Sequence, residues 1–207
     1  MDDRQLFIDG CQKLGVELTD EKMERIDAYA LLLEKWNKKF NLVGPDTIKH
    51  LYSRHLLDCA QVVPFLKAGD SVLDIGAGSG LPSLVVAILA DVEVHACERI
   101  GKKVQFMREV KRQLSLGDKF EALQEDVFDL VDLEKRYSVV TSRAFAALDI
   151  IFKAGNPLLK GDGKFILLKG VQYKDEISAA NLNLNVTVDE KESITFTGGK
   201  ILVIPKF

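Results

Sequence analysis

Residues 72–82, VLDIGAGSGLP, set an acid, three alternate glycines and a proline in an order that can hold a ligand. The apolar start reads as a strand, Pro82 can open a helix, and the glycines between them let backbone come close to a bound molecule. In alternating β/α folds, ligands lie in the crevice beyond the carboxyl ends of the parallel strands. The dinucleotide fingerprint G-x-G-x-x-G fails, because the glycines are Gly76, Gly78 and Gly80 and the next residue is Leu81. A phosphate loop is also missing, since no glycine-lysine pair is followed by serine or threonine. Asp74, at the strand end, repels a pyrophosphate and attracts a cationic aminoacyl group or a sulfonium. Together these residues point to S-adenosylmethionine as cofactor. Glu98, ending the next strand, is placed to accept both ribose hydroxyls, and Asp126, ending the third, lies beside the expected adenine.

The methyl acceptor is constrained by what the chain lacks. After the fourth expected strand stands Thr141-Ser142-Arg143-Ala144-Phe145, not the Asn/Asp-Pro-Pro-aromatic tetrapeptide suited to exocyclic amines, and no Pro-Cys pair offers a thiolate for attack on a cytosine carbon. An acceptor with a ready lone pair, needing position more than proton removal, fits best.

The elements that must position these residues fall into two kinds. Residues 2–60 read as helices: Leu6, Phe7, Cys11 and Leu14 recur at helical spacing, as do Ile26, Tyr29, Leu33 and Trp36 after a capping Thr19 or Asp20. A third helix is expected from Asp46 past Leu57, although Leu51, Leu56, Leu57 and Val62 share a face only loosely. Beyond Pro64 the pattern becomes alternating β/α, with strands predicted at 71–75, 92–97, 120–124, 137–141 and 163–168 and helices at 81–90, 100–115 and 147–159. Strands apolar throughout suit a parallel sheet covered on both faces. The segments 183–190 and 194–207 add two or three strands with Gly198-Gly199 as a hairpin turn, so that the sheet ends antiparallel.

The chain has 207 residues, 47% hydrophobic and 29% charged, enough for one domain with an appendage. Its start, MDDRQLFIDG, lacks a basic region before an apolar run, and its longest uncharged apolar stretch is about half a membrane span, so neither a secretory signal nor a membrane segment is expected. Cys11, Cys59 and Cys97 form no CxxC pair, which leaves no metal-ligand spacing and suits free thiols in a cytoplasm. The net charge of −3 hides an asymmetry: residues 99–119 carry seven cations against two acids, and residues 31–60 add Lys38, Lys39 and Arg54 to an excess of cations.

Several strings together resemble the ribosomal small-subunit methyltransferase G family, also called glucose-inhibited division protein B. They are Trp36-Asn37 and Asn41-Leu42, Arg54-His55-Leu56-Leu57-Asp58, the glycine string, Glu98 with Lys102-Lys103, Ser142-Arg143-Ala144-Phe145, and Leu168-Lys169-Gly170. The resemblance spans nearly the whole chain. It implies a Rossmann-like class I fold: a mostly parallel seven-stranded α/β sheet with an antiparallel last strand, and a helical cap at 1–63 on a methyltransferase domain at 64–207. It implies methylation of guanine N7 in 16S rRNA by a cytoplasmic, monomeric enzyme that needs no metal and acts on the rRNA or the small ribosomal subunit. By the same resemblance Gly76, Leu81, Asp126, Val127 and Arg143 contact S-adenosylmethionine, and Arg143, Lys169, Asn41 and Asp58 are candidates for the catalytic site. Ser83, after the proline where the family has glycine, and Cys59, where serine commonly follows the aspartate, are departures.

N7 carries a lone pair and no hydrogen, so its attack needs no general base, and Arg143 or Lys169 should reach O6 or a phosphate, because a grip on both O6 and N7 blocks the nucleophile. N7 is hidden in the narrow groove of an A-form helix, so an unstacked guanine is expected, with Trp36, Phe40, Tyr52 and Phe145 as platforms. Lys38, Lys39, Arg54, Lys102, Lys103, Arg108 and Arg112 are the expected phosphate contacts, with Arg108 and Arg112 sharing a helix face. Three alternatives stay open: a methyltransferase for a small molecule or protein, a non-catalytic RNA-binding assembly factor, and, disfavoured by the glycine spacing, a nicotinamide-dependent reductase.

Overall fold

The structure, a computed structural model, describes residues 2–132, 134–180 and 187–207. Two helices open the chain, α1 (Asp3–Lys13) and α2 (Asp20–Phe40), each burying one face, Phe7 and Cys11 on α1 and Ile26, Tyr29 and Leu33 on α2. The Thr19 hydroxyl accepts the Lys22 N–H at 3.2 Å and starts α2. Asn41 ends it at φ +47°, its N–H bonded to the Asn37 carbonyl, with Lys38 and Lys39 in the last turn, where cations suit the helix dipole.

The expected third helix is broken into a 3-10 turn (Ile48–His50), a π-helix (Leu51–Leu56) and a short α3 (Leu57–Ala60). The loose apolar spacing is the cause. Leu51 and Leu56 are both buried and five residues apart, a separation that a π-turn places on one face and an α-helix does not. Asp3 of α1 accepts the Tyr52 and Ser53 N–H groups at 2.8 and 3.2 Å and fixes that turn.

From Ser71 the β/α alternation follows: β1 (Ser71–Ile75), α4 (Ser83–Leu89), β2 (Glu93–Cys97), α5 (Gly101–Gln113), β3 (Phe120–Leu123), β4 (Tyr137–Arg143), α6 (Leu148–Gly155), β5 (Leu159–Lys169), α7 (Tyr173–Ala179), β6 (Asp189–Glu192) and β7 (Lys200–Pro205). The sheet order is β3-β2-β1-β4-β5-β7-β6, with β1 to β5 mutually parallel and β7 antiparallel to both its neighbours. Side chains alternate between two cores. Val72, Val94, Val139 and Ile166 face the side covered by α4, α5 and the N-terminal helices, and Leu73, Val140, Phe165 and Leu202 face α6.

Three details differ from the sequence expectation. β5 begins four residues early because Leu159 pairs with Tyr137 before a register shift. α7, a short polar helix, carries too little apolar periodicity to be read. Residues 193–199 form a bent loop where a strand from Ile194 was expected, so Gly198-Gly199 ends a longer connection and is not itself a two-residue hairpin turn; residues 183–186 of the expected 183–190 strand lie outside the described residues. That loop is held down by Gln61, which takes it out of the sheet.

Phe106 of α5, fully buried, wedges against Tyr29 and Trp36 of α2 at ring-centroid distances of 6.3 and 5.4 Å. Phe106→Ala should lower the unfolding free energy by about 3–5 kcal/mol in urea titrations. Leu31→Ala, at a side chain 66% exposed, should move it by less than about 0.5 kcal/mol.

Candidate cofactor and acceptor site

β1 runs into a loop whose three glycines all have left-handed φ, +70° at Gly76, +59° at Gly78 and +85° at Gly80. Space also constrains two of them. A Cβ on Gly76 would lie 2.1 Å from the Phe145 ring, and one on Gly80 2.3 Å from Leu84, whereas one on Gly78 would meet no atom nearer than the Gly76 carbonyl oxygen at 4.0 Å. The loop is braced from several directions. Gly76 and Ala77 N–H both donate to the Cys97 carbonyl at 3.0 Å, Gly78 N–H donates to Glu98 Oε2 at 3.0 Å, and the Ser79 carbonyl accepts the buried Tyr29 hydroxyl at 2.8 Å.

Asp74 does not face this crevice. It is fully buried beneath the loop and its Oδ2 accepts the Ser83 N–H at 3.0 Å, anchoring the start of α4. Its Oδ1 and the Ser83 hydroxyl have no hydrogen-bond partner. Burial, against the opposing effect of Ser83, pushes the Asp74 pKa up to about 7. The expectation that Asp74 meets a cationic ligand group is therefore corrected: its carboxylate is buried in the protein, Gly80 lies against Leu84, and neither lines either of the two cavities that adjoin at Gly76.

Two cavities adjoin at Gly76, Lys103, Ala144 and Phe145. The smaller, about 440 Å³, is lined by Glu98, Ile100, Asp126, Val127 and Phe128. Glu98 accepts Ile100 N–H at 2.8 Å through Oε1 and stands 3.7 Å from Lys103 Nζ; Asp126 accepts Phe128 N–H at 3.1 Å and Arg99 at 3.2 Å. The larger, about 1250 Å³, takes in Gly78, Leu81, Asp58, Arg143 and Lys169. The residues present suit an S-adenosyl nucleoside: two carboxylates with spare lone pairs beside a glycine cradle whose Gly78 meets no side chain.

The Arg54–Asp58 and Ser142–Phe145 strings, far apart in sequence, meet at Arg143. Its Nε donates to Asp58 Oδ2 at 2.7 Å and its Nη2 to His55 Nδ1 at 3.0 Å. Arginine only donates, so the His55 proton sits on Nε2 and goes to the Thr47 hydroxyl at 2.8 Å, which donates in turn to the Gly44 carbonyl at 2.8 Å. Asp58 Oδ1 accepts the Thr195 hydroxyl at 2.7 Å and Gln61 Nε2 at 3.1 Å, and Gln61 Oε1 takes the Ile194 N–H at 2.7 Å. Of the two departures from the family pattern, Ser83 and Cys59 are both fully buried, and burial holds the Cys59 thiol well above its ordinary pKa.

Other expected site residues separate. Lys169 lines the large cavity but is committed to the Ala146 carbonyl at 2.9 Å and to Glu176 at 2.6 Å. Asn41 is an exposed helix cap outside both cavities. Trp36 and Phe40 pack on each other, Trp36 also on Phe106 of α5, and Tyr52 is bonded to Asp27, so of the four expected platforms Phe145 alone lines either of these two cavities. Arg108 turns inward to the Ala122 carbonyl at 3.0 Å and Arg112 pairs with Glu109, which removes their expected common face. Lys38, Lys39, Arg54 and Lys102 are exposed and in no ion pair among the described residues, and Arg54 and Lys103 line the large cavity. The sequence reading missed Tyr29, Gln61 and Thr195. Tyr29 showed only as an apolar helical position, and nothing local marks the other two.

Protonation gives a test of this arrangement. Burial, then Arg143 and Arg54, lower the His55 pKa from 6.5 to about 4, so its contribution to stability is full above 6.5 and is lost as the pH falls toward 4. Asp74 works in the opposite sense: its folded pKa is raised from 3.8 to about 7, so its contribution is full below 3.8 and is lost as the pH rises to 7. Asp74→Asn removes the second effect alone. The denaturation midpoint of that variant relative to wild type should climb from pH 4 to pH 7; a difference constant over the range contradicts a buried, proton-holding Asp74.

Known proteins resemble the chain along most of its length. The sequence profile of the rRNA small subunit methyltransferase G family matches residues 22–204. The ribosomal RNA small subunit methyltransferase G of Paramagnetospirillum magneticum is 37% identical over 183 residues, covering 88% of this chain and 87% of that protein. The protein of that name from Rhodospirillum rubrum is 35% identical over 190 residues, 91% of this chain and 92% of its own. Among solved structures, a ribosomal protein L11 methylase from Lactobacillus delbrueckii superposes with a TM-score of 0.57 at 16% identity, covering 73% of this chain and 75% of that one, which shows a shared fold. With its profile matched almost end to end and relatives above 30% identity along most of its length, the chain belongs to the rRNA small subunit methyltransferase G family.

Proposed function

We propose that the protein transfers the methyl group of S-adenosylmethionine to N7 of a guanine in 16S rRNA, presented as RNA or within the small ribosomal subunit. The observation that carries this reading is the junction of the two cavities at Gly76 and Phe145, an acid-lined nucleoside space opening directly into a large space walled by Arg143. Family membership supports the acceptor. S-adenosylmethionine supplies an electrophilic methyl group; Glu98 and Asp126 would hold its hydroxyl and amine donors, and Gly76, Gly78, Leu81 and Val127 would shape the rest of its seat.

The residues around Arg143 support an acceptor that needs no proton removed. Asp58 is ion-paired, and both nitrogens of neutral His55 are occupied by Arg143 and Thr47. Arg143 keeps Nη1 unused by Asp58 and His55, free to donate to guanine O6 or a phosphate while leaving N7 open. Rate enhancement then comes from orientation and from exclusion of water. Exposed Lys38, Lys39, Arg54 and Lys102 serve as phosphate contacts, and an rRNA acceptor places the protein in the cytoplasm.

Incubated with methyl-tritiated cofactor and small subunits from cells lacking the protein, the wild type should label 16S rRNA, and nucleoside mass spectrometry should identify 7-methylguanosine. Arg143→Lys should lower kcat/KM by about 100-fold through misplacement of the acceptor. Label confined to protein or small molecules would sink the RNA reading. Charge reversal at Lys39 and Lys102 should weaken filter-bound RNA by about tenfold or more at moderate salt and leave calorimetric affinity for S-adenosylmethionine unchanged.

A further inference from the structure

We propose that Phe196, carried on the 193–199 loop between β6 and β7, is the platform on which the acceptor purine stacks; this rests on the RNA-methylation reading above. The ring lines the large cavity and is 52% exposed, and its neighbour Ile194 is 46% exposed. The half of the ring left in water adds nothing to folding, yet the loop beneath it is fixed. Ser193 N–H donates to the Gly199 carbonyl at 3.0 Å and Gly199 N–H to the Phe196 carbonyl at 2.9 Å, closing the loop on itself. Ile194 N–H and the Thr195 hydroxyl are bound from below by Gln61 and Asp58. Gly199 leaves room for the ring, since a Cβ there would lie 3.0 Å from Phe196 Cδ1. The result is an apolar face held still by polar anchors.

Asp58 is the shared anchor. One of its oxygens holds the loop through Thr195 and the other holds Arg143, so the ring and the guanidinium are fixed to one carboxylate on the walls of one cavity. Phe145, the other phenylalanine on that cavity, is packed against Gly76 and so has one face occupied. Val171, 62% exposed and packed beside Gly198, extends the apolar surface. A purine drawn out of its helix loses its stacking partners, and an aromatic face restores that contact for any base, while Arg143 reads its edge.

The test uses the full chain with small subunits from cells lacking the protein. Phe196→Ala should lower kcat/KM for the subunit by about 5- to 150-fold, Phe196→Tyr should restore most of it, and calorimetric affinity for S-adenosylmethionine should be unchanged in both. In Phe196→Trp the added indole emission should be quenched on titration with the subunit, against the background of the wild type, whose single tryptophan is Trp36. Wild-type kinetics in Phe196→Ala, or unquenched emission in Phe196→Trp while methylation proceeds, overturns the platform and leaves the RNA reading standing. If the wild type places no label in RNA, both fall.

Discussion

The site is organised around a guanidinium that the sheet alone cannot hold. Arg143 ends a central parallel strand, in a place where its side chain is four-fifths removed from solvent, and an arginine cannot shed its charge. An unpaired buried charge costs several kcal/mol, so a carboxylate must come from outside the sheet. Asp58 of the N-terminal helices supplies it at 2.7 Å, and His55, one helical turn earlier, supplies an acceptor on the same face. The π-turn that precedes α3 is the local consequence: it buries Leu51 and Leu56 together while His55 and Asp58 both point at the strand end. The cap is thus part of the site's electrostatics and not an appendage beside it.

The glycine loop shows the same dependence. Its backbone donors are taken by Cys97 and Glu98 from the neighbouring strand, and its Ser79 carbonyl by Tyr29 from α2. Glu98 joins three things at once, accepting from Gly78, accepting from Ile100 at the N-cap of α5, and facing the smaller cavity. A carboxylate accepts about four hydrogen bonds, so holding the loop does not spend its capacity for hydroxyl donors. Bracing and binding are compatible uses of one side chain.

What the sequence revealed follows from what is local. The five parallel strands were legible because each is a short apolar run whose neighbours change period, and the glycines because their spacing is itself the signal. The path from Asp58 to Thr195 was not legible, since it joins residues more than a hundred positions apart and each is an ordinary polar residue in its own neighbourhood. Asp74 was misplaced for a related reason: an acid at a strand end looks solvent-facing in one dimension, and only the covering of β1 on both faces shows that it is buried. The aromatic residues of the cap failed likewise, because Trp36 had a closer use in packing on Phe106, and Phe40 in packing on Trp36. The resemblance strings, by contrast, named the right partners before their contact was visible, since Arg54 to Asp58 and Ser142 to Phe145 are the two ends of the Arg143 network.

The charges around the large cavity are sorted by depth. Inside, each cation brings its own carboxylate: Arg143 with Asp58 at 2.7 Å, Lys169 with Glu176 at 2.6 Å, Lys103 with Glu98 at 3.7 Å, and Lys200 with Glu192. His55 among them is neutral at neutral pH. At the rim, Lys13 and Arg54 are exposed and have no ion pair among the described residues. Methyl transfer to N7 moves a positive charge from a sulfonium to a purine without changing the total inside, and a near-neutral interior penalises neither end of that transfer. A fully cationic cavity would attract RNA more strongly but would repel both the sulfonium and the methylated product. Cations unpaired among the described residues at the mouth and paired ones within keep the positive potential at the surface, while the interior stays indifferent to where the methyl group's charge resides.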